Sequence, residues 1–190
     1  MRKLFTIAVF SLIGFAVPMV FQACGKISDT NAPTPSSRTP VTKITLESTP
    51  GDYIGQGLSP TLTEKDGTIR ATLNCSHAST GRCVGIHFEG DTGNWDFQFD
   101  VPLLEQLPIG RYVGAIRFPF NTSPLSASAF PGLNVTSDHR ECNELTGSFE
   151  ILEASLGQDQ STIEAFAVNF EQYCDNGPVL RGKIRYNSGI

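Results

Sequence analysis

Apolar and polar residues alternate with period two through most of residues 43–190, and no stretch keeps a helical period for three turns. The clearest case is Asn94–Asp100, where Trp95, Phe97 and Phe99 alternate with Asp96, Gln98 and Asp100. That pattern predicts a half-buried strand with aromatics inward and acids to water. The same reading predicts strands at Lys43–Ser48, Leu58–Thr63, Thr68–Asn74, Cys83–Glu89, Arg111–Arg117 and Leu133–Thr136. Three longer strands follow at Leu145–Leu156, Thr162–Cys174 and Val179–Tyr186. Thr49-Pro50-Gly51-Asp52 and Lys65-Asp66-Gly67 are turn signals, and Gly90-Asp91-Thr92-Gly93 closes a hairpin. Gly55 and Gly57 mark a bend or bulge where backbones approach closely. Val101–Gly110 has room for one helical turn, with Pro102 at its first position and Gly110 as a stop.

Many short strands at even spacing with Gly/Pro turns define an all-β domain. The expected architecture is a single antiparallel β-sandwich, with a lipocalin-like β-barrel as the alternative. Residues 43–190 suit one domain with a real core.

The first 42 residues have a different texture. Arg2 and Lys3 precede an apolar run, Leu4–Phe21, interrupted at Thr6, Ser11, Gly14 and Pro18, and the run ends in Ala23-Cys24. Residues 1–23 therefore read as a secretory signal peptide rather than a membrane span. The Val20–Gly25 segment resembles the lipobox of bacterial lipoproteins, although Phe21 stands where that pattern usually has Leu. The resemblance implies cleavage before Cys24, a diacylglyceryl and palmitate-type anchor on it, and a cell-envelope location. Gly25 after the cysteine implies the outer membrane in a Gram-negative host. Residues 24–42, rich in Pro, Ser and Thr, read as a lipidated N-terminus and a disordered tether. A flexible chain of that length spans ~20–25 Å.

Cysteine parity agrees with lipidation. Of five cysteines, giving Cys24 to lipid leaves Cys75, Cys83, Cys142 and Cys174 to pair. Cys75 and Cys83 are eight apart, which in an oxidising compartment points to a short disulfide loop rather than zinc ligation with His77 and His87. The pairing of Cys142 with Cys174 follows from strand register. A tight turn at Gln158-Asp159 gives antiparallel partners a constant sum of 317, setting Phe149 opposite Val168 and Cys142 opposite Asp175. Leu152, Ala154 and Leu156 switch parity, so a bulge near that turn would shift the register.

Removing residues 1–23 deletes two basic and no acidic residues, so the remaining charge is 12 − 19 = −7. That balance argues against nucleic acid as a partner. The chain has no Gly-x-Ser-x-Gly elbow, no His-Glu-x-x-His and no phosphate-binding loop. Asp96 and Asp100 on one strand face would stand ~13 Å apart, beyond the ~5–9.5 Å of a two-carboxylate glycosidase. They are expected to form a solvated acidic face, and His139 a surface loop. No catalytic residue, metal ligand or cofactor is assigned. Phe118–Gly132 has three Pro, three Ser and no pattern, yet carries Phe118, Phe120, Leu125 and Phe130. Those four residues form either a lid folded back on the domain or an apolar binding rim.

Six stretches together resemble an uncharacterised domain of bacterial exported proteins. They are Pro50–Gly57, Arg117–Phe120, Cys142-Asn143, Thr146–Glu150, Phe170–Cys174 and Gly182–Ser188, though Arg140-Glu141 replaces the glycine often found before the Cys-Asn pair. The resemblance implies no activity. The expected function is a membrane-anchored envelope lipoprotein, a non-enzymatic module that binds a glycan, lipid or protein or serves structurally. The alternative is a hydrolase of envelope polymers.

Overall fold

The computed structural model describes residues 38–75, 81–102, 107–121 and 130–190. The leader, Cys24, His77 and Leu125 lie outside the described residues, as does all of the tether before Arg38. Among the described residues there is no helix, and ten strands run in chain order. They are β1 Val41–Ser48, β2 Thr61–Thr63, β3 Gly67–Leu73, β4 Gly81–Gly90, β5 Gly93–Pro102, β6 Gly110–Arg117, β7 Gly132–Ser137, β8 Leu145–Leu156, β9 Ile163–Cys174 and β10 Val179–Ser188.

All ten belong to one sheet in the order β2-β1-β10-β9-β8-β6-β7-β5-β4-β3. The first and last strands of that order touch, and β3 also meets β9, so the sheet nearly closes on itself. Of the two architectures the strand pattern allowed, the barrel-like one fits. Every neighbouring pair is antiparallel except β6 and β7, whose parallel pairing sets Ile116 beside Gly132 and Arg117 beside Leu133. That parallel step is why the Phe118–Pro131 connection is long: a parallel neighbour needs a crossover, not a hairpin.

The interior is packed rather than hollow. Phe97 and Phe99 on β5 meet Phe170 on β9 at 5.9 and 5.8 Å between ring centroids, although several strands separate β5 from β9 in the sheet. Phe99 also packs edge-on against Phe149 of β8 at 5.5 Å. Gly182 of β10 is what admits the Phe170 ring, since a Cβ there would collide with it.

Three expectations change. Val41 and Thr42, expected in the tether, belong to β1, where Val41 faces Ser188 and Thr42 Oγ1 accepts the Asn187 amide at 3.0 Å. Val101 and Pro102 finish strand β5 instead of starting a helical turn, because Val101 pairs with Arg82 and fills the core. The β8–β9 register lies two residues from the expected one: Phe149 faces Phe170, and Ile151 faces Val168. The turn is wider, closed by Gly157 N–H donating to Thr162 O at 3.0 Å. Up to Ile151 the shift of two keeps every side chain on its face; irregularities between Ile151 and Glu153 and between Ser155 and Leu156 then move the register, as a bulge near the turn was expected to do.

Both disulfides form. Cys75 joins Cys83 with Cα atoms 5.3 Å apart, and Cys142 joins Cys174 at 5.1 Å. Cys142 precedes β8 rather than facing β9 within it. It is held there because Glu144 and Asp175 exchange bonds: Glu144 N–H to Asp175 Oδ1 at 2.8 Å, Asp175 N–H to Glu144 O at 3.0 Å.

Candidate functional site

Strand alternation puts Leu46, Gly182, Phe170 and Phe149 in one cross-strand row facing the interior. Their chain neighbours then face outward in two flanking rows. One holds Thr45, Lys183, Asn169, Glu150 and Arg111; the other holds Glu47, Arg181, Glu171 and Ser148. These residues line a cleft of about 420 Å³ on the outer wall of β6, β8, β9, β10 and β1. Arg181 pairs with Glu171 at 3.5 Å. Among the described residues Arg111, Lys183, Glu47 and Glu150 make no ion pair within 4.0 Å. Three cations and three carboxylates thus share the cleft with one hydroxyl or amide each from Thr45, Ser148 and Asn169.

A second polar group sits on the outer wall of β3, β4 and β5. His87 Nδ1 bonds Asp96 Oδ1, and His87 Nε2 lies 3.3 Å from Thr72 Oγ1. The Gly90–Gly93 hairpin sets His87 directly opposite Asp96. Gly85 admits this close approach of hydroxyl and ring: a Cβ there would collide with Thr72 Oγ1 at 2.6 Å and crowd His87 Nε2 at 3.1 Å. The sequence pattern contained the means to find this pair, because a turn at 90–93 fixes partners summing to 183. Thr72 carries no such signal, being one of many strand threonines.

The third place is the β6–β7 connection. Phe118 is 2 % exposed and buried apart from the main core cluster, so it is a packing residue and not part of a rim. Phe120 and Phe130 are 67 % and 50 % exposed. Arg117 lies over the Phe120 ring, 5.2 Å from its centroid, and binds Glu141 at 2.7 Å. The connection also covers Asp100, which is therefore not on a solvated acidic face. Asn121 Nδ2 donates to Asp100 Oδ2 at 2.6 Å and to Phe130 O at 3.0 Å. Burial pushes the Asp100 carboxyl above its ordinary range, opposed by that single Asn121 bond. Among the described residues, Asp100 Oδ1 and Asn121 Oδ1 have no hydrogen-bond partner.

Cys75 and Cys83, considered as ligands beside His77 and His87, are bonded to each other. Among the described residues no group of three or more His, Cys, Asp or Glu could hold a metal ion. His139 is exposed in the turn after β7. No family model matches the chain, and neither a curated protein nor a solved structure matches it.

Proposed function

We propose that the protein is a lipid-anchored lipoprotein of the bacterial cell envelope, and that its barrel binds a polar envelope glycan in the cleft across β6, β8, β9, β10 and β1. The cleft carries this reading. Its volume of about 420 Å³ falls within the usual range for small-ligand sites, ~300–1,000 Å³. Its walls offer hydroxyls, an amide, guanidinium groups and carboxylates, while Leu46, Phe149 and Phe170 turn their side chains inward. That lining suits a polyhydroxylated ligand of low net charge and disfavours an acyl chain. Three of the stretches that resemble the exported domain contribute to it, through Ser148 and Phe149, Phe170 and Glu171, and Gly182 and Lys183. The plainer role of such charges is cross-strand pairing, worth ~0.2–1 kcal/mol per pair. Arg181 and Glu171 face each other in that way.

The Val20–Gly25 motif supports the anchor at Cys24, and the two disulfides agree with an oxidising compartment. The test uses the protein purified from its native envelope. Intact mass should show acyl chains on an N-terminal Cys24. Solubilised envelope glycan should bind wild type, and Arg111→Ala with Lys183→Ala should weaken binding about tenfold, equivalent to ~1.4 kcal/mol. Equal binding by wild type and the double variant would remove the cleft as the site.

A further inference from the structure

We propose that Thr72, His87 and Asp96 form a nucleophilic relay that cleaves accessible esters on the outer wall of β3, β4 and β5. The inference is independent of the glycan cleft, which lies on other strands. A carboxylate only accepts hydrogen bonds, so the bond between His87 Nδ1 and Asp96 Oδ1 puts the ring proton on Nδ1. In the neutral ring, Nε2 then presents a lone pair to the Thr72 hydroxyl, 3.3 Å away, nearer than the Gly85 carbonyl oxygen at 3.5 Å. Hydroxyl, base and orienting carboxylate in this order are the signature of an activated nucleophile, and such bonds are often long before substrate binds. A threonine on an exposed strand more commonly serves sheet propensity alone.

Gly85 separates this arrangement from an ordinary surface network. Its missing side chain is what lets Thr72 Oγ1 and His87 Nε2 come together over its Cα, because a Cβ there would collide with the hydroxyl at 2.6 Å and crowd the ring nitrogen at 3.1 Å. An acyl carbon reaches the hydroxyl from the solvent side, where the His87 and Asp96 side chains are 40 % and 53 % exposed. Gln98 faces Gly85 across the β4–β5 ladder. Its oxygen accepts from Asn134 Nδ2 at 3.3 Å, which leaves its amide N–H groups as donors for a developing oxyanion. Arg70 faces His87 across the β3–β4 ladder and supplies a cation. The site is open and shallow, so the fitting substrate is an ester with a small acyl group and an anionic part near Arg70.

The chemistry balances without a further reagent. Thr72 Oγ bonds to the acyl carbon while its proton passes to His87 Nε2. The ester C–O bond breaks, and the leaving alkoxide takes that proton. Water then attacks the acyl-threonine, giving a proton to Nε2. The Thr72 Oγ–acyl bond breaks, Thr72 recovers the proton, and a carboxylic acid leaves. Asp96 is a positioning residue that holds the ring in the required tautomer.

The full-length protein is treated with a fluorophosphonate probe and mapped by peptide mass, with p-nitrophenyl acetate hydrolysis followed in parallel. The expected result is one adduct, on Thr72. It should be absent from Thr72→Val, which keeps the β-branched shape, and from Gly85→Ala, whose Cβ would displace the Thr72 hydroxyl from His87 Nε2. His87→Gln should label and hydrolyse about a hundredfold more slowly. For Asp96→Asn, imidazole ¹⁵N shifts should move from a pure Nδ1–H form to a tautomer mixture. No adduct on Thr72, or equally fast labelling of His87→Gln, would overturn the proposal. The His87→Gln comparison needs only native Thr72, so it decides even if another variant does not fold.

Discussion

Asp52 and Asp100 are carboxylates with almost no solvent contact, 2 % and 1 % exposed, yet they live in opposite circumstances. Asp52 sits in the connection after β1. Its oxygens accept Ser48 Oγ–H at 2.7 Å, Gly55 N–H at 2.7 Å and Ile54 N–H at 3.4 Å. Ser48 Oγ in turn accepts the Gly57 amide at 2.8 Å, and Arg140 Nε donates to Ile54 O at 3.1 Å. The result is a tied plug that places Ile54 in the core cluster. Gly55 is required there, because a Cβ would stand 2.6 Å from Ser48 Cβ. Asp100, under the β6–β7 connection, has one donor and one unpartnered oxygen. The difference teaches that burial alone does not decide what a carboxylate contributes. Where donors meet both oxygens, as at Asp52, the side chain ties its loop together; at Asp100, where they do not, burial favours the protonated acid.

Of the two carboxylates, the larger effect is expected at the tied end. Asp52→Ala leaves the Ser48 hydroxyl and the Gly55 amide without their acceptor. Each buried donor left unsatisfied costs ~1–3 kcal/mol, so denaturant unfolding should show a loss of about 3 kcal/mol or more. A loss below about 1 kcal/mol would show that water replaces the carboxylate and that the plug is not held as described.

Asp100→Asn should do the reverse, and with a pH signature. The folded carboxyl keeps its proton to higher pH than the unfolded chain does. The stabilisation from that proton is complete below the unfolded value and is lost as pH rises through the folded one. An asparagine is neutral throughout, and its N–H can donate to the unpartnered Asn121 Oδ1. The variant should therefore match wild type in acid and exceed it at neutral pH by about 1 kcal/mol, the net worth of one hydrogen bond. Denaturant curves from pH 3 to pH 8 check this. A wild type that instead gains on the variant with rising pH would mean that the carboxylate is the favoured form.

The smallest effect concerns the exposed rings of the second region. Phe120→Ala and Phe130→Ala should each change stability by no more than about 0.5 kcal/mol, as exposed positions do. Phe118→Ala, buried on the same connection, should cost ~3–5 kcal/mol if its surroundings do not collapse. Thermal melts of the three variants separate a packing residue from surface ones.

The strands were legible because a half-buried strand writes its burial in every second residue. Trp95, Phe97 and Phe99 point inward as their alternation requires, and the two-residue register shift in β8–β9 left each face unchanged up to Ile151. The disulfides were legible for the same reason. Cys142 and Cys174 lie near the open end of one hairpin, and Cys75 and Cys83 border one short loop. The His87–Asp96 pair was also within reach, since a hairpin turn dictates its own partners. Local spacing thus determined the all-β class, the strand positions and the covalent framework.

What only the tertiary structure decided depends on contacts between residues far apart in the chain. Period two does not say whether an inward face meets a second sheet or the far wall of its own, so sandwich and barrel share one pattern. The parallel β6–β7 step joins the β2-to-β6 and β7-to-β3 halves into one sheet, whose end strands β2 and β3 then touch. Asp100 reads like Asp96 in the sequence, two acids of equal parity on one strand. Asn121, twenty-one residues onward, buries one of them, while His87 leaves the other on the surface beside Thr72. Side-chain parity is set by the backbone of one strand, but solvent access is set by whatever the rest of the chain lays over it.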